Sequence, residues 1–146
     1  MSGDAKPANR SAALVAHGPS SGRDDGSKPF NARQLARIDE ALTLSSRESG
    51  LTFSVYVGEL AEPTRATAEE LFEKLATEAD GAVLVAVSPG QRRLHIVTGE
   101  ASAPRLPNRA CALAALGMRA AFANGDLTGG IVTGLRMLAD SAGRTH

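Results

Sequence analysis

The stretch from Gly81 to Gly99, GAVLVAVSPGQRRLHIVTG, decides the fold of this chain. Its first half, Val83 to Val87, is a short unbroken apolar run, which is typical of a strand covered on both faces. Its second half, Arg93 to Thr98, is β-branched and partly alternating and predicts a returning strand. Between them, Ser88 to Gln91 holds a proline followed by a glycine, which indicates a type II turn with a positive φ at the glycine. The stretch therefore predicts a β-hairpin.

Sequence on the N-terminal side of the hairpin predicts a parallel strand and a connecting helix. Residues 51–57 alternate apolar and polar side chains, which is the pattern of a half-buried strand. The segment Thr67-Ala68-Glu69-Glu70 is a capping box for a helix that leads into the hairpin. Strand, helix and strand in this order form a βαβ crossover, so the two strands are expected to be parallel.

Three further helices complete the expected set. Asn31 and Gln34 form a capping box for a helix that Gly50 ends. Residues 108–124 predict a helix that is apolar nearly all round, and such a helix lies in the middle of a domain or under a partner. Asp126 is expected to cap the last helix.

The fold class that follows is α/β. We expect a Rossmann-like small mixed β-sheet of three to four strands, with about four helices on both faces. Ala13 to Ala16 would add the fourth strand at an edge, and Gly130 and Gly134 would let another helix pack closely against the last one. The expected organisation is a flexible N-terminal tail over residues 1–28, the α/β domain over 29–143 and a C-terminal tail over 144–146.

Composition excludes several classes of function. Sixteen basic and sixteen acidic residues cancel, so the chain has no overall field that would attract nucleic acid. Its one cysteine, Cys111, permits no internal disulfide. No apolar run approaches the roughly 20 residues that span a bilayer, and no signal-peptide pattern precedes the domain. We therefore expect a monomeric, cytoplasmic protein without a transmembrane segment.

Three short segments, in their order and spacing, resemble the TPM domain. They are Ala79 to Leu84, Gln91 to Gly99 and Gly125 to Gly130, and the wider run from Leu51 to Gly143 looks like an uncharacterised actinobacterial offshoot of that family. The family includes thylakoid-lumen proteins involved in photosystem II repair and many bacterial proteins. The resemblance implies a Rossmann-like mixed sheet, and it implies acid phosphatase activity, weak divalent-cation binding or a partner role in membrane complexes.

Acidic residues are expected at one pole of the sheet. Asp80 precedes one hairpin strand and Glu100 follows the other, so antiparallel pairing brings them to the same end. The resemblance implies that Asp126, at the start of the last helix, lies close to them. Carboxylate oxygens are the ligands that Ca²⁺ and Mg²⁺ prefer, and such a cation can polarise a phosphoryl oxygen. The alternative assigns Asp126 to a helix cap, Asp80 to a turn and Glu100 to a solvated charge.

The opposite pole is a candidate anion site. Ligands of open α/β sheets bind at the carboxyl ends of the parallel strands, where Arg92 and Arg65 are expected to offer guanidinium groups to a phosphate or carboxylate. The alternative is that Arg92 lies in an ordinary exposed turn. His95, inside a strand, and Cys111, on an alanine-rich helix, are interpreted as packing residues.

Two functions stay open at this stage. The first is a non-enzymatic interaction or binding module, which contacts a protein partner through the apolar third helix or a pole of the sheet. The second is a weak metal-assisted, acid phosphatase-like phosphomonoesterase, which would use the Ca²⁺ or Mg²⁺ site. No serine, cysteine or histidine has an evident activating neighbour, so no catalytic residue is assigned.

Overall fold

A computed structural model describes residues 12–16, 30–75 and 81–143. The elements are β1 (Ala12–Ala16), α1 (Ala32–Ser49), β2 (Thr52–Val57), α2 (Thr64–Leu75), β3 (Ala82–Ser88), β4 (Arg93–Thr98), α3 (Asn108–Ala123) and α4 (Leu127–Ala142), with short 3-10 turns at Pro89–Gln91 and Ala103–Arg105. The strands form one sheet in the order β1-β2-β3-β4, in which β1, β2 and β3 are parallel and β4 is antiparallel to β3. The predicted mixed α/β sheet is confirmed.

The predicted edge strand is β1, which pairs with β2 although it falls within the expected N-terminal tail. The rest of that tail and residues 144–146 lie outside the described residues. Within the described residues, no helix is both long enough and apolar enough to cross a bilayer.

The hairpin consists of β3 and β4, but its turn differs from the predicted type. Antiparallel register pairs Val83 with Thr98 at one end and Ser88 with Arg93 at the other. The connection begins with a 3-10 turn, and its left-handed residue is Arg92, at φ 57°, rather than the glycine. Hairpin loops of this length are usually built around a tight turn that is followed by one left-handed residue. The left-handed position therefore comes after the proline–glycine pair.

Helices cover both faces of the sheet, three on one face and one on the other. Val83, Val85 and Val87 pack in the larger core with buried residues of α1, α3 and α4, whereas Leu84 and Ala86 face α2. Strand β2 is buried along almost its whole length, so the half-buried expectation for it is wrong. The reason is that β2 lies between β1 and β3, and Tyr56, on the face that carries the polar residues, packs in the core under α2.

The first two helices differ in how well their starts were predicted. The Asn31–Gln34 capping box of α1 is present, with both hydrogen bonds at 2.8 Å, and Gly50 ends this helix at φ 79°. Helix α2 instead begins at Thr64, before the predicted capping box. The Thr67 hydroxyl donates to the Ala61 carbonyl at 2.7 Å, so it holds the preceding loop instead of capping the helix.

Close packing of α3 against α4 depends on the two glycines of α4, as the sequence indicated. A Cβ atom on Gly134 would lie 2.5 Å from Met118 Sδ, and one on Gly130 would lie 2.6 Å from Phe122 Cε1. Met118 is buried at this contact. Helix α3 is nevertheless not central in the domain, because its opposite face is exposed.

Replacement of Gly134 by alanine tests this contact. Alanine normally stabilises a helix interior by about 0.5–1 kcal/mol relative to glycine, but overpacking a core costs about 1–3 kcal/mol. Because Met118 has little room to move, we expect Gly134→Ala to lower the free energy of unfolding by about 1–2 kcal/mol. The matched control is Gly117→Ala, where the added Cβ would lie at an ordinary 3.6 Å from Met137 Sδ. Urea unfolding should show the control unchanged or more stable, and equal effects of the two substitutions would contradict the packing argument.

Candidate functional site

Strand β4 has an open edge. It is the last strand of the sheet and pairs with β3 alone among the described strands. The Arg65 guanidinium on α2 reaches the Ile96 carbonyl oxygen at 3.5 Å, so this carbonyl points away from β3. Main-chain groups alternate in direction along an antiparallel strand, and those of Leu94 and Thr98 therefore point outward as well. We call the outward main-chain groups of Leu94, Ile96 and Thr98 the β4 edge.

His95 lies beside this edge on the face of the sheet that α2 covers. Its Nε2 atom is 2.8 Å from the Thr64 hydroxyl oxygen, and the two share a hydrogen bond whose donor depends on the imidazole tautomer. Burial is the main cause that lowers the pKa of His95, and nearby positive charges lower it further. Those charges belong to Arg65, Arg93 and Arg119. The imidazole is therefore neutral near pH 7.

Arg65, Arg93 and Arg119 come from three different elements, and we call them the arginine cluster. Arg65 belongs to α2, Arg93 to β4 and Arg119 to α3. Arg65 Nε donates to Glu69 Oε2 at 3.0 Å, in an exposed salt bridge one helical turn apart. For the other two arginines, no ion pair with another described residue is recorded. Among the described residues, Glu69 is the one acidic group that acts on the His95 pKa, so positive charges predominate around this histidine.

A second surface is the side of α3 that faces away from α4. Its large side chains are Leu113 and Leu116, which are 53% and 64% exposed. They lie three residues apart, so they share one side of the helix, and Ala112 and Ala120 are exposed beside them. We call these four residues the α3 outer face. Single exposed leucines are common on protein surfaces, but a contiguous apolar patch marks an interaction site.

Cys111 lies on α3 toward the arginine cluster and is only partly buried. Burial raises the pKa of its thiol, and the charge of Arg65 opposes this rise to a smaller extent. The Sγ atom is 3.6 Å from the Leu106 carbonyl oxygen, to which it donates. The thiol is therefore protonated at neutral pH, which makes it a poor nucleophile.

The two arginines of the predicted anion site lie at different points of the molecule. Arg92 is exposed in the hairpin turn, and Arg65 binds the Ile96 carbonyl four residues further along the chain. At about 3.3 Å per strand residue, this corresponds to roughly 13 Å along the strand. No contact between the two is recorded within the described residues. A shared anion site for them stays a prediction.

Polar groups at this pole hold the loop that precedes α2. The Gln91 amide donates to the Leu60 carbonyl at 2.9 Å and accepts from the Leu60 N–H at 2.8 Å. The Ser88 hydroxyl donates to the same Gln91 oxygen and is buried. These contacts occupy the Ser88 and Gln91 side chains at the carboxyl end of β3.

The structure does not bring Glu100 and Asp126 together. Arg105, in the loop that follows Glu100, donates to the Ala142 carbonyl at 3.0 Å, so the C-terminal end of α4 lies at that pole. Asp126 caps the other end of α4 by accepting from the Gly129 N–H at 2.9 Å. A helix of 16 residues is about 24 Å long, which separates the two carboxylates.

Asp80, the remaining candidate ligand, lies outside the described residues. In the portion that the structure does describe, no three His, Cys, Asp or Glu side chains are grouped so as to hold a metal ion. A cation site that uses Asp80 and Glu100 stays a prediction. Titration with Ca²⁺, followed by the amide resonances around these two residues, tests it.

Sequence reasoning missed the arginine cluster. Arg93 and His95 are two residues apart in a predicted strand, so their common face was available from the alternation of strand side chains. Arg65 and Arg119 join them only through tertiary packing, and no local pattern connects them.

Comparison with protein families corrects the resemblance to the TPM domain. The family model that matches the chain, over residues 7–139, is a domain of unknown function, DUF5130. The TPM assignment is therefore wrong. Residues that carried it have local roles, because Gly81 and Gly125 supply positive φ angles of 72° and 82° and Asp126 caps a helix. Any chain with these turns and this helix start would need similar residues.

Among curated proteins, two uncharacterised Mycobacterium tuberculosis proteins are similar to the chain. They are MT2543 of strain CDC 1551 / Oshkosh and Rv2468c of strain H37Rv, each 37% identical over 111 residues. Each match covers 76% of this chain and 66% of the relative, so the chain spans about two-thirds of the relatives' length.

Solved structures of low sequence identity share the fold. The BA42 protein from the psychrophilic bacterium Bizionia argentinensis is 14% identical at a TM-score of 0.74, over 81% of this chain and 84% of that one. The N-terminal domain of a P. gingivalis protein is 13% identical at 0.73, over 96% and 89%. The N-terminal domain of cg2496 from Corynebacterium glutamicum is 10% identical at 0.67, over 94% and 83%. These similarities establish the fold alone.

The lowered pKa of His95 predicts how stability changes with pH. The folded protein binds a proton at His95 less readily than the unfolded chain, whose histidine has a pKa of about 6.5. This contribution to stability is therefore present above about pH 6.5 and is lost as the pH falls through the folded-state value. We expect His95→Gln to remove part of the loss of stability between about pH 7 and pH 5.

Denaturant unfolding across this pH range measures the effect, with His17→Gln as the control substitution. The imidazole resonances of His95 should also titrate below the ordinary range. An unperturbed titration, or a stability profile of His95→Gln parallel to that of the unsubstituted chain, would contradict the assignment.

Proposed function

Because this chain belongs to the DUF5130 family, a domain of unknown function, we propose a role for it from its own surface: it is a non-enzymatic binding module that contacts a protein partner through the α3 outer face. The observation that carries the proposal is the exposure of Leu113 and Leu116 on one side of this helix. Burial of a leucine side chain that was fully exposed contributes about 1.5–3 kcal/mol. Two such residues in one patch suit the centre of an interface.

The composition of the patch also favours a close contact. Ala112 and Ala120 flank the leucines, and small side chains let a partner approach the helix backbone. The contact with α4 fixes the opposite side of α3 through Met118, so the exposed side is held in place before a partner binds. A surface that is already ordered loses little conformational entropy on binding.

Charges at the ends of the patch indicate the chemistry of the partner. Arg109 and Arg119 are exposed near the two ends of the α3 outer face. An apolar surface with acidic residues at its rim would match both features, because rim charges guide association and discriminate between partners. Pairing of two α3 helices from identical chains would bring arginines of both copies to one interface. We therefore propose a partner of different sequence, and a chain that is itself monomeric and cytoplasmic.

The phosphomonoesterase alternative has no support in the described contacts. The Thr64 hydroxyl, which neighbours the neutral His95, is only 5% exposed and cannot reach a substrate in solution. The Cys111 thiol is held in its protonated form. Nucleophilic catalysis requires an accessible group with an activating base, and neither residue provides one.

Substitution of the two leucines tests the proposed surface. We expect the full chain with Leu113→Asp and Leu116→Asp to lose the partner that the unsubstituted chain retains from native lysate, at least about tenfold by quantitative mass spectrometry, because charged residues replace the apolar centre. Leu44→Asp on α1 is the matched control, since Leu44 is 43% exposed on another helix. Circular dichroism and thermal unfolding verify that all variants are folded. Retention of the same partner by the double variant, or equal loss in the control, would refute the proposal.

A further inference from the structure

The β4 edge offers to a strand of another molecule main-chain groups that pair with no other described strand. Within the described residues, the one side-chain hydrogen bond recorded at this edge is the 3.5 Å contact from Arg65 to the Ile96 carbonyl. This distance is long for an N–H···O hydrogen bond, so the contact is easily displaced. Exposed sheet edges are the surfaces to which extended peptides add as a further strand.

Side chains around the edge favour acidic residues in such a strand. Arg93 projects on the α2 face of the sheet, whereas Arg119 belongs to α3, on the other face, and is near enough for its charge to lower the pKa of His95. Successive side chains of an added strand also point to opposite faces. Acidic residues at alternate or adjacent positions would therefore find a guanidinium group on either face. Arg65 pairs now with Glu69 in an exposed salt bridge, which contributes little stability and exchanges readily.

The same charges disfavour a second copy of the chain at this edge. Antiparallel pairing of β4 with β4 would place the arginine clusters of both copies around one ladder. Like charges opposite each other destabilise a strand pair. Charged residues beside an edge strand are a common protection against self-association.

We infer that the β4 edge binds an extended acidic segment of a partner protein as a fifth strand, with Arg65, Arg93 and Arg119 pairing with its carboxylates. Main-chain hydrogen bonds to Leu94, Ile96 and Thr98 fix the register of the added strand. The arginine cluster makes the edge selective for acidic side chains. The α3 outer face is a separate surface, and only Arg119 borders both.

NMR titration of the full, isotope-labelled chain with short capped peptides tests this inference. The probe carries pairs of adjacent glutamates between valines, so that its glutamates face both sides of the sheet. One control peptide carries lysine in place of glutamate, and a second keeps the glutamates but is N-methylated at alternate residues, so that it cannot complete a strand ladder. We expect only the unmethylated glutamate peptide to bind and to shift the amide resonances of Leu94, Ile96 and Thr98.

Charge-reversal variants identify the arginines that select the acidic peptide. Arg93→Glu and Arg119→Glu are each expected to weaken peptide binding about fivefold, in the range of single exposed ion pairs. The matched control is Arg136→Glu, at an exposed position on α4, and it should bind the peptide as the unsubstituted chain does. The Leu113→Asp, Leu116→Asp chain should also bind the peptide, which separates this test from the test of the proposed function.

Three outcomes would overturn the inference. Equal binding of the N-methylated peptide would show attraction by charge without strand addition. Amide shifts confined to the α3 outer face would place the peptide elsewhere. Concentration-dependent broadening at Leu94, Ile96 and Thr98 without any peptide would show that the edge pairs with a second copy.

Discussion

Strand β3 has to be covered on both faces, because every residue from Ala82 to Ser88 is buried. Its valines require one helical layer, and Leu84 and Ala86 require another on the opposite side. One layer contains α1, α3 and α4, but the other contains α2 alone among the described helices. Helix α2 packs on β3 and β4, and the described residues contain no strand beyond β4. Strand β4 therefore completes the pairing of β3 and leaves its own outer edge open.

The contact between α3 and α4 fixes what the surface presents. Met118 occupies the space that a side chain on Gly134 would fill, and this contact sets the rotation of α3 about its axis. Leu116 then points to solvent, and Arg119 lies close enough to His95 to act on its pKa. A rotation of α3 by one residue, about 100°, would turn both Leu116 and Arg119 away from these positions. One close packing contact thus determines both proposed surfaces.

Local features were predictable from the sequence. Features that depend on how separate elements pack and are oriented were not. The α1 capping box and the hairpin rest on residues adjacent in sequence, and both are present. The alternation in β2 indicated one exposed face, but Tyr56 on that face is buried against Leu60 and Ala68, which lie outside the strand. Asp126 was placed near Glu100 by resemblance, whereas the hydrogen bonds of Arg105 show that the opposite end of α4 lies there. Similarly, Arg65 and Arg119 act on His95 only when α2, β4 and α3 have packed together.

The net charge of zero is a sum over the whole chain, and it does not describe the charges beside the β4 edge. Acidic residues balance the basic ones in sum, yet in the described part of the chain Glu69 is the one acidic residue that acts on His95 beside three arginines. Nucleic acid would also be attracted by arginines, but its phosphate groups carry acceptors without donors. A strand edge alternates N–H and C=O groups, so a phosphate backbone would bring its oxygens against the outward carbonyls. A polypeptide matches the alternation, because it offers a donor and an acceptor at each residue. The combination of a strand edge with a few arginines therefore selects an acidic polypeptide over a nucleic acid.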